Sequence, residues 1–298
     1  MKKLRFLYCF IAVSLLAGCE ADNTEKVSDG GIIADFSFTN DGNIFTFTNL
    51  SQGSTNYRWD FGDLSFYCDK ENPTYTYVTV GGEVDVTLTA MNESGEEAYI
   101  TKTITAPEVL NVDIQIDGNF DDWGDIDYLY EEADGVSVKK IKIWGKGDNI
   151  SVYLEGNTTM QMELVDMFIN SDGNSSTGLL SWQWPNGSGA DFLFEGPLLS
   201  NSWGAFYQHT DPNGGWAWNW LGGSDKMTSS EVVSVDAQTN AIEFSIPKTQ
   251  LGSLGSSIGF AFTELTSGWA AVGNFPKVTA TSSFVTYELP LEALSLCE

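Results

Sequence analysis

The chain has 298 residues, with 14 Lys and Arg against 41 Asp and Glu, a formal net charge of −27. Such an excess of acid excludes non-specific binding to nucleic acid or to anionic lipid, which requires basic patches. It suits a neutral ligand.

The first nineteen residues form a targeting segment. Lys2 and Lys3 give it a basic start, residues 6–16 are apolar but too short to span a membrane as a helix, and residues 16–19 read Leu-Ala-Gly-Cys. This order resembles a bacterial lipoprotein signal, which implies that Cys19 is lipidated and becomes the first mature residue. Several acyl chains would anchor the protein stably in the outer membrane. The alternative is an ordinary secretory signal.

Residues 20–31 are polar and acidic and lack apolar periodicity, which predicts a flexible tether. The early acids Glu20, Asp22 and Glu25 resemble the export signal that sends lipoproteins of Bacteroidota-type bacteria to the cell surface.

Two cysteines follow Cys19 in the mature chain, Cys68 and Cys297. They could pair in an oxidising compartment or both stay reduced. The unpaired state is our sequence-based expectation.

Thirty glycines, 13% aromatic residues and the lack of a long helical period predict an all-β chain. A break near residues 105–108 divides it into a domain at 32–106 and a larger one at 107–298.

The first domain alternates apolar residues with period two, as in Phe36 and Phe38. Residues 57–63 read Tyr-Arg-Trp-Asp-Phe-Gly-Asp, and residues 72–77 read Asn-Pro-Thr-Tyr-Thr-Tyr. These motifs resemble the polycystic-kidney-disease (PKD) repeat, with Tyr75 where His is usual. The resemblance implies an immunoglobulin-like sandwich that serves as a spacer; direct ligand binding is the alternative.

The second domain carries three further motifs in order. Residues 116–123 read Ile-Asp-Gly-Asn-Phe-Asp-Asp-Trp, residues 166–178 end an apolar strand in an Asp/Asn-rich loop, and residues 189–196 follow. Together they resemble family 9 carbohydrate-binding modules and their relatives. The resemblance implies an antiparallel, jelly-roll-like β-sandwich. The same pattern occurs in surface glycan-binding lipoproteins that partner TonB-dependent transporters.

The loop after this apolar strand alternates oxygen ligands with small residues. Asn170, Asp172 and Asn174 could bind Ca²⁺, which takes six to eight oxygens, and Asp191 could complete the shell. The sequence therefore leaves two interpretations of this loop equally open, a structural Ca²⁺ site and an Asx-rich turn.

Tryptophans crowd residues 182–220. Residues 216–220 read Trp-Ala-Trp-Asn-Trp between glycines, so a strand here would place three indoles on one face as a flat platform for sugar rings. The alternative is that they fill a sandwich core. Trp123 and Trp144 are expected in the core. The candidate glycan contacts are Trp182, Trp184, Trp203, Tyr207, Trp216, Trp218, Trp220 and Trp269.

No pair of carboxylates stands out for hydrolysis. Asp191 and Glu195 would lie roughly 13 Å apart along a strand, beyond the spacing a glycosidase needs. The single histidine, His209, has no nucleophile motif to serve.

The sequence thus predicts a non-catalytic surface protein that captures a neutral polysaccharide. The resemblance to surface lipoproteins with a PKD domain implies laminarin-type β-1,3-glucan as the first choice, with α-glucan or another neutral polysaccharide as the alternative. The expected partners are the outer membrane, a TonB-dependent transporter and its associated glycan-binding lipoprotein. The alternatives are a glycoside hydrolase or lyase, with a carboxylate pair near the tryptophans, and a structural or adhesive lipoprotein, whose clustered tryptophans would be buried.

Overall fold

The computed structural model describes residues 24–26, 31–63, 67–78, 80–198, 203–290 and 297. The lipidation candidate Cys19 lies outside these ranges. Within them, no helix is both long enough and apolar enough to span a membrane.

The chain divides into two compact units, with the boundary between Val109 and Leu110. Cys297, near the end of the chain, belongs to the first unit. The first unit therefore takes part of its chain from each end of the sequence.

The first unit is an immunoglobulin-like sandwich of two antiparallel sheets. One sheet has the order β1-β7-β6-β4, and the other has the order β2-β3-β5. The strands are β1 Thr24–Lys26, β2 Phe36–Asp41, β3 Ile44–Asn49, β4 Asn56–Asp60, β5 Thr74–Thr76, β6 Gly82–Met91 and β7 Glu97–Ala106.

The motif at residues 57–63 builds the core of this sandwich. Trp59 and Phe61 are buried, as their alternation predicts, and the hydroxyl of Tyr77 donates to the carbonyl of Phe61 at 2.9 Å. Gly62 has φ +76°, and a Cβ there would lie 2.5 Å from the carbonyl oxygen of Asp85, so the turn requires glycine. Tyr75, at the position where the resemblance expects His, donates to Asp63.

The structure corrects the expectation of a continuous tether at residues 20–31. Within it, Thr24–Lys26 form β1, which pairs antiparallel with residues 99–101 of β7. Backbone pairing needs no apolar side chains, so the polar composition concealed a short edge strand.

The expectation that Cys68 and Cys297 stay unpaired is also wrong. They form a disulfide whose Cα atoms are 5.7 Å apart across a sequence separation of 229. Cys68 is buried and exchanges backbone hydrogen bonds with Trp59 at 2.7 and 3.1 Å, which fixes its position in the sandwich. Sequence spacing carries no information on a partner so distant.

The second unit is a larger antiparallel β-sandwich. A six-stranded sheet follows the order β15-β17-β10-β9-β8, with β16 also pairing β17, and a seven-stranded sheet follows the order β14-β13-β12-β11-β18-β19, with β20 also pairing β18. The strands are β8 Tyr130–Glu131, β9 Val138–Trp144, β10 Asn149–Asn157, β11 Leu164–Asn170, β12 Phe192–Gly196, β13 Ala205–His209, β14 Trp218–Gly223, β15 Thr228–Ser229, β16 Val233–Ser234, β17 Thr239–Pro247, β18 Ser257–Leu265, β19 Ala271–Phe275 and β20 Val285–Glu288.

The main core of the second unit lies between these two sheets. Alternate residues such as Val152 and Phe244 from the six-stranded sheet pack against Met167 and Phe260 from the seven-stranded sheet. The period-two pattern of the sequence places these side chains inward, as predicted.

The motif at residues 116–123 covers the outer face of the six-stranded sheet. Its Trp123 is buried, as expected, and donates from Nε1 to Glu243 Oε2 at 2.8 Å. The backbone N–H groups of Asp117 and Gly118 donate to the other carboxylate oxygen at 2.9 and 2.7 Å. One fully buried carboxylate therefore holds the motif in place.

Replacing Glu243 with alanine should lower the free energy of unfolding of the second unit by about 3 kcal/mol, because the buried indole N–H of Trp123 and two partly buried backbone donors lose their acceptor. Urea denaturation followed by tryptophan fluorescence reports on this unit, since all tryptophans except Trp59 lie in it. Glu231→Ala, which removes an exposed carboxylate, is the matched control. Equal midpoints for the two variants would contradict the assigned role.

A tryptophan-lined face as the candidate functional site

The seven-stranded sheet presents its second face outward. Phe168 on β11, Leu193 on β12 and Tyr207 on β13 stand on this side, because their neighbours along each strand point into the core. Phe168 and Leu193 belong to a second apolar cluster, and half-buried Tyr207 packs against it. This cluster lies outside the main core.

Edge strand β14 places two tryptophans on this side. Trp220 pairs in register with Tyr207, and Trp218 pairs with His209. Trp216 precedes the strand, and its ring centroid lies 6.2 Å from Phe168 and 5.6 Å from Trp218. We call Tyr207, Trp216, Trp218 and Trp220 the aromatic face.

The aromatic face is not the flat platform that the sequence predicts. The rings of Trp216 and Trp218 meet at 78°, since Trp216 lies outside the strand. Trp216 and Trp220 are 62% and 67% exposed, whereas Trp218 is half-buried. The face therefore offers differently tilted indole surfaces.

The loop of residues 179–190 contains two tryptophans whose different exposure could not be predicted from the sequence. Trp182 is 82% exposed, whereas Trp184 is fully buried between Phe168 and Phe284 and donates from Nε1 to the carbonyl of Pro276 at 2.9 Å. The prediction that Trp184 contacts glycan is corrected: a ring without accessible surface packs the core of the loop and cannot stack on a ligand.

Trp203 and Trp269 form a pair at one end of the seven-stranded sheet. Their ring centroids are 5.8 Å apart, and both are 52% exposed. Trp269 has φ +65°, a left-handed conformation that bulky residues seldom adopt. Trp203 precedes β13 and Trp269 lies in the β18–β19 turn, so only the sheet order brings them together. We call them the edge pair.

A row of polar side chains crosses the sheet between the aromatic face and the edge pair. Glu195 on β12 pairs in register with Asp166 on β11, Asp166 with Thr263 on β18, and Thr263 with Asn274 on β19. Thr263 Oγ1 donates to Asn274 Oδ1 at 2.8 Å, and Gln183 Nε2 donates to the same oxygen at 3.1 Å. We call Glu195, Asp166, Thr263 and Asn274 the polar row.

Asp166 has an unusual electrostatic environment. Burial, and secondly the charge of Glu195, raises the pKa of Asp166 to about 7. Its buried Oδ1 has no hydrogen-bond partner among the described residues. Burial and Glu195 also raise the pKa of the Tyr207 hydroxyl, which places the aromatic face next to the polar row.

Sequence reasoning missed this carboxylate pair. In the sequence, the nearest candidate partner of Glu195 is Asp191, four residues before it. In the structure, its partner is Asp166 on the neighbouring strand. Asp166 and Glu195 both occur within the motifs at residues 166–178 and 189–196. Pairing these two motifs as neighbouring antiparallel strands is the signal that could have placed the two carboxylates opposite each other.

The loop proposed to hold Ca²⁺ is ordered largely by its own hydrogen bonds. Asp172 Oδ1 accepts from the N–H of Asn174 at 2.8 Å, and Asn174 Oδ1 accepts from the N–H of Ser176 at 3.0 Å. Asp191 Oδ2 accepts from the N–H of Ser171 at 2.8 Å, and burial raises the pKa of Asp191. These contacts are those of an Asx-rich turn.

One buried atom of the loop lacks a hydrogen-bond partner. Asn170 is 5% exposed, and its Oδ1 has no hydrogen-bond partner among the described residues, while its Nδ2 donates to the carbonyl of Ser188 at 2.8 Å. Among the described residues, no three His, Cys, Asp or Glu side chains lie close enough together to hold one metal ion. Any cation here would rely on amide and backbone oxygens as well as carboxylates.

His209 supports the turn before the aromatic face. Its Nε2 lies 2.7 Å from the carbonyl oxygen of Gly215, and its ring packs edge-on against Trp218 at 5.1 Å. These contacts give the histidine a structural role.

Comparison with known proteins identifies the first unit. Residues 33–107 match the PKD domain family. This match covers the described strands β2 to β7 and agrees with the motif at residues 57–63.

Three solved structures are similar to parts of the chain, each with a TM-score of 0.24. The PKD1 domain of Vibrio anguillarum Epp is 28% identical, covering 26% of this chain and 95% of that one. The PKD1 domain from the Vibrio cholerae metalloprotease PrtV is also 28% identical, covering 26% and 96%. A structure reported for the promiscuous specificity of carbohydrate-binding modules from the beta-sandwich superfamily is 12% identical, covering 78% and 94%.

Proposed function

We propose that the second unit binds a neutral polysaccharide non-catalytically by stacking sugar rings on its exposed indoles. The observation that carries this proposal is the exposure of the tryptophan cluster. Of the six tryptophans between residues 182 and 220, four are more than half exposed: Trp182, Trp203, Trp216 and Trp220. Large exposed apolar side chains grouped beside polar ones are typical of binding surfaces.

The same observation weighs against a structural or adhesive role without a glycan ligand. That alternative predicts that the six clustered tryptophans are buried. Trp184 is fully buried, but Trp218 is half-buried and the other four are more than half exposed. An indole left in water gains free energy when an apolar surface covers it, and the C–H face of a sugar is such a surface.

The cellular setting is part of the proposal. Lipid on Cys19 would anchor the protein in the outer membrane at the cell surface, and the first unit would act as a spacer. Several sugars bound along one chain, and many copies on one cell, would add avidity to a modest single-site affinity. The captured glycan would pass to a TonB-dependent transporter and its associated glycan-binding lipoprotein. Laminarin-type β-1,3-glucan is the favoured ligand.

Affinity electrophoresis of residues 20–298 tests the proposal. The gels would contain laminarin, mixed-linkage glucan, starch, xylan, mannan or alginate, and Trp216→Ala, Trp218→Ala and Trp220→Ala would run beside the wild type. We expect one neutral glucan to retard the wild type and at least one variant to run faster. Unchanged mobility in every gel would contradict glycan binding.

A glycoside hydrolase is the second candidate, and one observation favours it. Asp166 and Glu195 are direct cross-strand neighbours, a separation of about 5 Å between Cβ atoms, and one of them has a raised pKa, as a general acid requires. This candidate predicts that reducing ends appear when the protein is incubated with laminarin, and that Glu195→Gln stops their release while binding persists. Constant reducing-end concentration would exclude it for this substrate.

Calcium bound by Asn170, Asp172, Asn174 and Asp191 remains a proposal, supported by the unpartnered Oδ1 of Asn170. Ca²⁺ at a hundredfold excess over its Kd should stabilise the second unit by about 2.7 kcal/mol. Thermal denaturation in EDTA and in Ca²⁺ measures this, with Asp172→Ala expected to abolish the difference. Asp211→Ala, which breaks a comparable Asx turn, should preserve it. A wild type insensitive to Ca²⁺ would contradict the site.

A further inference from the structure

The polar row lies where a bound glycan would cross the sheet. Along the strands, the next outward residues on one side are Phe168, Leu193 and Tyr207, and the edge pair lies beyond the other end. A chain stacked on both aromatic groups would therefore pass over Glu195 and Asp166.

Small residues flank this pair on the side of β13. In register with Glu195 stands Ala205, and in register with Ala205 stands Gly223. The side chains of both Glu195 and Asp166 are partly accessible.

The two carboxylates have unused hydrogen-bonding capacity. Among the described residues, neither forms an ion pair with Lys or Arg, and Asp166 Oδ1 accepts no hydrogen bond. Because both side chains are partly accessible, a ligand that supplies hydroxyl donors would add hydrogen bonds that the described residues do not provide. A ligand that supplies carboxylate or sulfate groups would add like charges instead.

We propose that Glu195 and Asp166 determine the specificity of the tryptophan-lined site, accepting hydrogen bonds from the hydroxyls of a neutral sugar and excluding glycans that carry carboxylate or sulfate groups. In this proposal, which rests on the proposed function, two carboxylates at the site itself select the ligand class, rather than the negative charge of the whole protein.

The test compares two ligands that share a backbone, laminarin and carboxymethylated β-1,3-glucan, by isothermal titration calorimetry with residues 20–298. The variants are Glu195→Gln, Asp166→Asn and the double variant. We expect the wild type to bind laminarin and to bind the carboxymethylated glucan at least about tenfold more weakly. Each single variant should lose about tenfold in affinity for laminarin, because an amide is a weaker acceptor than a carboxylate.

The ratio of the two affinities separates specificity from structural damage. In the double variant we expect the preference for laminarin over the carboxymethylated glucan to fall at least about tenfold, whereas damage to the fold would weaken both ligands together. A control double variant, Asp125→Asn with Glu231→Gln, removes the same two charges from exposed positions elsewhere in the second unit and should preserve the wild-type ratio.

The possible outcomes distinguish failure of the specificity inference from failure of the proposed function. If the wild type binds laminarin and the double variant keeps its affinity and its ratio, the specificity inference is overturned while glycan binding stands. If the control variant changes the ratio as much as the double variant does, overall charge is responsible and the inference is equally overturned. If the wild type binds no glycan in the panel, the proposed function fails first.

Discussion

Replacing Trp220 with alanine is expected to weaken binding of the neutral glucan at least tenfold. Its ring is 67% exposed and stands in register with Tyr207, so a sugar stacked there covers apolar surface that water otherwise wets. Covering a large apolar side chain contributes about 1.5–3 kcal/mol, and each 1.4 kcal/mol corresponds to about tenfold in Kd.

Tyr67→Ala provides a matched control for this substitution. Tyr67 is 65% exposed but lies in the first unit, so its loss removes a comparable aromatic surface without touching the candidate site. Isothermal titration calorimetry should give wild-type affinity for Tyr67→Ala. Equal losses in both variants would show that the exposed indole of Trp220 is not a specific contact.

The Asp166→Asn variant is expected to be more stable than the wild type above pH 7 and equally stable near pH 4. The pKa of Asp166 is raised from 3.8 to about 7, so the folded state binds a proton that the unfolded state releases. The stability that this proton provides is complete below about pH 4 and is lost as the pH rises to 7. Asparagine cannot ionise and keeps its stability throughout. The difference at high pH is at most about 4 kcal/mol, because each pKa unit corresponds to about 1.4 kcal/mol.

Thermal denaturation at pH 4.5, 6, 7.5 and 9 measures this difference. The charged group facing Asp166 is Glu195 from β12, and uncharged Thr263 from β18 pairs with Asp166 on its other side. Tyr207 from β13 interacts with Glu195. Glu195→Gln should therefore reproduce part of the effect by removing the like charge. Asp125→Asn controls for the change in overall charge. A pH-independent gain in the Asp166→Asn variant would point to packing rather than ionisation.

The Glu195→Gln variant distinguishes a binding surface from an active site. A hydrolase would lose turnover in Glu195→Gln while still binding its substrate, and a binding protein would lose affinity. The Trp220→Ala variant weakens either one, so it reports on the surface and not on the chemistry.

The sequence by itself determined the local features of this protein. Alternation with period two identified the buried sides of β10, β17 and β18, because side chains of a strand point to opposite faces whatever the strand pairs with. The motif at residues 57–63 identified Trp59 and Phe61 as core residues of the first sandwich, and clustering identified the tryptophans as the candidate site. These properties depend on neighbours along the chain.

The tertiary structure alone decided which distant residues meet and which exposed ones are covered. Trp182 and Trp184 are two residues apart, yet one is largely exposed and the other buried, since Phe284 and Pro276 come from a segment about a hundred residues later. Sheet register placed Asp166 opposite Glu195, and the return of the chain placed Cys297 beside Cys68. Strand alternation is a local property of the backbone, whereas pairing and coverage depend on the free energy of the whole packed sandwich.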